Sequence, residues 1–362
     1  MLTQKHEMKI DNMGNNIKKV LFFNPLKKIM IRGISVYSGE YEQLLRDKNV
    51  EVIVYELPLW FGKMPKAMQV FGFMFAQQVL LPIRALKVKP DLIFDAYNTY
   101  SILAALKFNY IFVIHDFIPF NNKLWFLKPG ALYQKILHNL SKNFSKLHLC
   151  YINSRIINDK NAIIKKKYFI LPNIVRTLGY HKVSNVEIEN FIKAGRELDA
   201  ICIVTISGSG KNKDFGGLVE RLNNLNVPVY LVAFGFANNF CEEFNNVNVF
   251  SPGVVDSNLI GSVITNSDLF VFHSTSEGFG RPIIEALELK AKVICSDVSP
   301  SLDYINEEYL PNLYIYSLRD MNEFKYQFDK ALRTPKRLIQ SDSVLTYNDE
   351  DLFNEISRII EA

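Results

Sequence analysis

Short runs of β-branched, aromatic and aliphatic residues alternate with helix-like stretches along almost the whole chain, and no other feature limits the fold as tightly. In the first half the runs are Val20–Asn24, Val50–Tyr55, Leu92–Asp95, Tyr110–His115, Leu147–Asn153 and Tyr168–Leu171. In the second they are Ala200–Ser207, Val229–Gly235, Val247–Phe250, Leu269–His273 and Lys292–Ser296. Runs this apolar have no polar face to turn to water, so they read as strands of parallel sheets covered by helices on both sides. Ser35–Lys48 with Ser35 as its cap, Phe215–Leu225, Leu259–Thr265 and Pro282–Leu289 read as covering helices. The expected class is α/β, with two doubly wound Rossmann-like domains facing a central cleft. A length of 362 residues suits two domains. Residues 1–17 read as a polar extension, 18–172 as the first domain and 173–198 as an interdomain segment. Residues 199–340 read as the second domain, and 341–362 as a C-terminal helix packing back on the first.

Charge separates the halves more sharply than apolar content does. Residues 1–173 carry 25 Lys/Arg against 11 Asp/Glu, and residues 174–362 carry 17 against 26. A basic half suggests an anionic partner, either a membrane surface or a nucleic acid. No nucleic-acid recognition motif accompanies it, so nucleic acid is not expected. The four cysteines, Cys150, Cys202, Cys241 and Cys295, are far apart, which argues against a disulfide scaffold or a zinc site. The most apolar stretch, Val70–Ile83, is too short to span a bilayer and contains Gln77-Gln78. A cytoplasmic protein is expected, peripherally associated with the inner face of the cell membrane.

The window most suggestive of chemistry is Asp268–Ser296. A buried strand ends at His273, the turn Glu277-Gly278-Phe279-Gly280 follows, and Pro282 opens a helix where proline is best tolerated. Ligands of open α/β sheets bind at the carboxyl edge of the strands. Backbone N–H groups at a glycine-rich helix start suit a diphosphate. Glu285, eight residues after Glu277, is placed to accept hydrogen bonds from two ribose hydroxyls. The plainer reading is acidic residues near a helix N-terminus, stabilised by its dipole.

The stretch SEGFGRPIIEAL resembles the E-x7-E signature of retaining family 4 glycosyltransferases of the GT-B fold. The resemblance extends in order through Val247–Phe250, Gly253, Leu259 and Ser267–Phe270. It also takes in Gly208…Lys213, Leu171-Pro172-Asn173, Ile114-His115-Asp116 and the Gly33 loop. It implies transfer of a sugar from a nucleotide-diphosphate donor, UDP- or GDP-linked, to a glycan or lipid-linked glycan, with retention. The implied pathway is O-antigen, capsule or lipopolysaccharide synthesis. The implied catalytic residues are His115, contacting the transferring sugar, and Glu277, facing the donor sugar. The implied donor-binding residues are Gly33, Ser209, Lys211, Lys213, Gly253, Gly278, Phe279, Gly280 and Glu285. Gly33 would allow close backbone approach to the phosphates, and Phe250–Gly253 would border the base. No cofactor and no metal are implied. Ser209 stands where the family has arginine, leaving Lys211, Lys213 or Arg32 to meet the diphosphate.

Asp349-Glu350-Asp351 fits a metal-binding D-x-D pattern but reads as the acidic start of a helix. His273 reads as structural. A non-catalytic glycosyltransferase-like scaffold and another GT-B activity, such as nucleotide-sugar epimerisation, are the alternatives. Lys63–Lys89, with Phe71, Phe73, Phe75, Leu80 and Leu81, and Asn122–Lys146 read as segments that dock on an anionic membrane.

Overall fold

The computed structural model describes residues 17–29, 33–117, 129–159, 162, 167–176, 184–208, 210–339, 341 and 343–361. The chain divides into two compact units. The first is Met1–Tyr151 with Asp159–Leu171 and Asp349–Ala362; the second is Ile152–Asn158 with Pro172–Asn348.

The first unit is built on six parallel strands: β1 (Lys19–Phe23), β2 (Glu51–Tyr55), β3 (Leu92–Asp95), β4 (Asn109–Ile114), β5 (Leu147–Tyr151) and β6 (Tyr168–Ile170). They lie in the order β2-β1-β3-β4-β5-β6. Every residue of β3 and β5 is buried, as their unbroken apolar runs require. Aromatic rings fill the layer beside the sheet, with Phe22 stacked on Phe94 at 4.6 Å and Tyr41 5.4 Å from Phe94. The first helix, Ile34–Asp47, starts one residue earlier than expected. Gly33 holds the cap position, no side chain caps the helix, and Ser35 is buried inside the first turn. The C-terminal helix Asp349–Glu361 also belongs to this unit and buries Leu352, Phe353, Ile356 and Ile359.

The second unit holds seven strands: β7 (Ile201–Ile206), β8 (Val229–Phe234), β9 (Asn239–Phe244), β10 (Val247–Pro252), β11 (Leu269–Phe272), β12 (Val293–Ser296) and β13 (Leu313–Tyr316). Their order is β13-β12-β11-β7-β8-β10-β9, parallel except for β9. Strand β9 escapes a sequence reading because its pattern is mostly exposed and includes Glu242 and Glu243. It is an edge strand folded back on β10 through Asn245-Asn246, with Asn245 at φ 45°.

The expected interdomain segment 173–198 is not a linker. It contains the helix Val186–Glu197, whose cap Asn185 accepts from the backbone N–H groups of Glu187 and Ile188 at 3.1 Å each. Phe191 packs 4.8 Å from Tyr230 and 5.4 Å from Phe250, seating the helix on the second sheet. The second unit takes in the chain from Pro172 onward, this helix included, and Ile152–Asn158 as well.

Candidate functional site

In the second sheet β7 pairs with β11 on one side and β8 on the other. The crossovers run in opposite directions from β7, which makes the β7–β11 gap the topological switch point, where loops splay and leave a crevice. The loops leaving these two strands are tied together. The Thr275 N–H and the Ser274 hydroxyl both donate to the Asn212 carbonyl at 2.7 Å, and Asn212 Nδ2 donates to the Ser276 carbonyl at 2.9 Å. Gly208 has φ 77°, and a Cβ there would sit 2.7 Å from the Gly235 carbonyl oxygen, so the neighbouring loops touch backbone to backbone.

This lacing brings Lys213 and Glu277 into one ion pair, Nζ to Oε1 at 2.6 Å. The ammonium also lies 4.6 Å from the centre of the Phe272 ring. Both side chains are mostly buried, at 22% and 11% exposure, yet remain reachable by a ligand. Next to Lys213, Asp214 adopts φ 39°, accepts from the Gly217 N–H at 3.3 Å and reaches His273 Nε2 at 3.2 Å. Tyr316 engages His273 Nδ1 through its hydroxyl, and burial pushes the imidazole below its ordinary pKa. His273 is a neutral clamp between β11 and β13, as its position at a buried strand end suggests.

The turn after Glu277 ends at Gly280, with φ 99°, which caps the helix Arg281–Glu288. A Cβ at Gly280 would meet Ser299 Cβ at 2.9 Å, so conformation and space both require glycine. No side chain caps the helix and its first turn has no acidic residue. Among the described residues, no acceptor takes the amides of Gly278, Phe279 or Gly280. Three consecutive donors and the positive end of a helix dipole suit a diphosphate. Glu285 lies one turn into the helix, mostly buried, with Arg281 Nε 3.5 Å from its Oε1.

Two participants were missed in the sequence. Arg281, between the two glutamates, fixes Glu285 and donates to the Ile174 carbonyl at 2.8 Å; its i,i+4 spacing to Glu285 was the available signal. Asn153 donates to the Gly278 carbonyl at 2.7 Å, across a separation of 125 residues that leaves no local pattern. Of the other expected residues, Lys211 is exposed, and its side chain makes no hydrogen bond or ion pair among the described residues. Phe279 is buried, its ring 6.0 Å from Tyr304. Gly253, with φ 73°, packs against Asn239 N at the start of β9, where a Cβ would lie at 3.1 Å. Ser209 and Arg32 lie outside the described residues.

The first unit carries the other expected residues. His115 follows β4, is 7% exposed, and stands edge-on to Tyr37 at 4.7 Å. Burial pushes its pKa down to about 4, against the pull of the Ala96 carbonyl, so the ring is neutral at physiological pH. With a ring proton given to Ala96, Nε2 is left buried and unpartnered. Gly33 has φ 61° and a Cβ there would meet nothing within 4 Å. Its positive φ is a conformation that favours glycine, and the space a side chain would fill is open among the described residues. At the end of β3, Asp95 accepts from Gln77 Nε2 at 2.6 Å, the Tyr110 hydroxyl at 2.8 Å and the Tyr97 N–H at 3.0 Å. Burial raises its pKa to about 7, although those hydrogen bonds pull it down. Asp349-Glu350-Asp351 opens the C-terminal helix, with Glu350 paired to Lys48. Among the described residues, no three His, Cys, Asp or Glu side chains converge as a metal site.

Residues 186–343 match the family of glycosyl transferases group 1. The uncharacterized glycosyltransferase MJ1059 of Methanocaldococcus jannaschii is 26% identical over 310 residues, which cover 75% of each protein. Anabaena Alr3699/HepE, solved in complex with UDP and glucose, superposes with a TM-score of 0.59 at 14% identity over 96% of this chain and 100% of that one. WaaG, a glycosyltransferase involved in lipopolysaccharide biosynthesis, superposes with a TM-score of 0.57 at 13% identity over 94% of each chain. The family match spans less than half of the chain, and the likeness to the solved structures is one of fold.

Proposed function

We propose that the chain is a retaining glycosyltransferase of the family 4 type, moving a sugar from a nucleotide-diphosphate donor to a glycan or lipid-linked glycan. The observation that carries this is the Lys213–Glu277 pair at the switch point, beside three amides with no acceptor among the described residues and the Arg281-held Glu285. Glu285 accepts the ribose hydroxyls, the amides of Gly278–Gly280 surround the phosphates, and Lys213 meets the charge of the diphosphate. Glu277 faces the donor sugar and, until a donor arrives, holds Lys213 in place.

In the reaction the bond from the sugar's anomeric carbon to the phosphate oxygen breaks, and the diphosphate keeps the electron pair. The acceptor hydroxyl oxygen bonds to that carbon from the same face, and its proton passes to the departing phosphate oxygen. Charge grows on the diphosphate during this step. Fixed cations and amides already aimed at it lower the barrier without reorganising, and with Lys213 and Lys211 in that role no divalent metal is required. His115, neutral with Nε2 unpartnered, is the first unit's group for a sugar hydroxyl. HepE was solved with UDP and WaaG acts in lipopolysaccharide biosynthesis, which supports a UDP donor as the first to try and a lipid-linked glycan as acceptor.

The test is a thermal-shift panel of UDP, GDP, dTDP and CMP, since a ligand of the native state alone raises the melting temperature. One nucleoside diphosphate should stabilise the protein well above the others, and its sugar should be transferred with the anomeric configuration kept. Stabilisation by none of the four overturns the reading.

A further inference from the structure

Residues 57–90 contain five Lys/Arg and not one Asp or Glu. They fold largely into one helical rod, Lys66–Phe75, Ala76–Leu80 and Leu81–Val88, in which the middle five residues form a π-turn. The rod is about 34 Å long at the usual rise per residue. The π-turn sets which side faces the protein. Gly72, Ala76, Leu81 and Ala85 are spaced four, five and four apart, and the five-residue step falls across the π-turn, keeping all four on the inner face. Ala76, Leu81 and Ala85 are fully buried, and Gly72 is so close to Phe61 that a Cβ would lie 2.5 Å from the ring.

The outer face is apolar too. Met68, Phe71, Phe75, Val79, Ile83 and Leu86 recur at helical spacing and are between 40% and 64% exposed. Beside the rod, Leu103 and Leu106 of the helix Ile102–Lys107 and Leu132 and Ile136 of the helix Pro129–Leu140 extend this surface, as do Leu59 and Trp60 before it. The three helices are pinned from beneath by the glutamine pair. Gln78 Oε1 accepts the Ile102 N–H at 3.0 Å, and the Tyr133 hydroxyl donates to Gln77 Oε1 at 2.7 Å. Exposed cations interleave with these residues: Lys63, Lys66, Arg84, Lys87, Lys89 and Lys107, none in an ion pair among the described residues.

Exposed apolar patches of this extent mark interaction sites. We propose that this face of the first unit docks on an anionic phospholipid surface. Its apolar stripe enters the boundary between headgroups and acyl chains while the cations meet lipid phosphates. The charge selects this occupant: two copies of a face bearing cations and almost no carboxylates repel one another, whereas an anionic bilayer complements every cation on it. The docking residues differ from those expected from sequence. Phe73 points inward, 5.6 Å from Phe23, and Leu81 is buried. The expected contribution of residues 122–128 lies outside the described residues. The proposal stands apart from the transferase reading, because its test measures binding to lipid and no activity.

Trp60 is 61% exposed and one of two tryptophans, so the full chain with Trp125→Phe reports on this face alone. With vesicles of mixed phosphatidylglycerol and phosphatidylcholine at low salt, its emission should shift to the blue and the protein should sediment with the vesicles. Pure phosphatidylcholine should produce neither effect, and added salt should reverse both. Each cation near an anionic surface is worth about fivefold in partitioning. Lys63→Glu, Lys66→Glu and Lys87→Glu together should therefore lower it by about 100-fold or more. Phe71→Ser with Phe75→Ser should abolish the blue shift, and unchanged melting temperatures identify the variants as folded. The proposal is overturned if the protein stays in the supernatant with anionic vesicles, binds neutral ones equally, or partitions unchanged in the folded charge variants. A concentration-dependent dimer that shields Trp60 without vesicle binding would give the face to a second copy and overturn it as well.

Discussion

At the end of β11 an ammonium and a carboxylate meet in a crevice a ligand can enter, whereas at the end of β3 a carboxyl group is sealed among three donors with no exposure. Both strands border the switch point of a parallel sheet, so topology alone does not make them differ. What differs is the covering. The second unit leaves Lys213 and Glu277 between two loops, while the first closes Gln77, Tyr97 and Tyr110 over Asp95. The contrast teaches that one topology can present charge to a ligand or use polar groups to fix a core. Desolvation marks the sealed kind: in the first unit it raises the pKa of Asp95 to about 7 and lowers that of His115 to about 4.

The contrast is most exposed to test at Lys213. Lys213→Ala removes the cation expected to meet the leaving diphosphate and should lower kcat by about 10²–10³-fold. Steady-state transfer rates read this directly, and a loss below tenfold would shift the phosphate role to Lys211. Glu285→Gln should keep the fold and weaken nucleotide binding by about 10–150-fold, the worth of a charge-assisted hydrogen bond. Calorimetric titration checks it, and an unchanged dissociation constant would detach Glu285 from the ribose. Gly280→Ala should destabilise the protein by about 1–3 kcal/mol through a forced positive φ and a contact with Ser299. Denaturant titration measures that loss.

A pH series tests the neutral side of the comparison. Asp95 has a folded pKa of about 7, above its unfolded value, so the stability it confers is full at low pH and is lost as pH rises through 7. Between pH 4.5 and 7 the wild-type protein should lose stability relative to Asp95→Asn by up to ~1.4 kcal/mol per pH unit. His115 acts in the opposite sense: with a folded pKa of about 4, its contribution is present above 6.5 and is lost as pH falls through 4. A melting-temperature difference between wild type and Asp95→Asn that ignores pH would show both sheet edges to be charged. The smallest expected effect is none: transfer should continue in excess EDTA, and loss restored by Mg²⁺ would return the acidic start of the C-terminal helix to consideration.

The architecture was legible where burial is two-sided, because β3, β5 and β11 are apolar at nearly every position and admit no other reading. It was illegible where one face meets water. Strand β9 hides behind Glu242 and Glu243, and Val186–Glu197 hides in a stretch whose polar residues suggest a linker. Within the site, the turn from Glu277 to Gly280 could be read because its glycine, proline and glutamate spacing is local. Asn153 and the laced carbonyl of Asn212 could not, since their partners are brought together only by the sheet. Residue type alone points to Ser35 as the cap, but Gly33 reaches a φ that serine rarely adopts.

The path of the chain between its two units has a consequence for how the protein is made. Ile152–Asn158 and Pro172–Asn348 belong to one unit, and everything before, between and after belongs to the other. On the ribosome, the second unit is therefore complete before the helix Asp349–Glu361 has been synthesised. Until then the first unit lacks the element that brings Leu352, Phe353, Ile356 and Ile359 into its core. A nascent chain halted before residue 349 carries an unfilled apolar seat on its older half, a mark of incompleteness that chaperones and proteases can read.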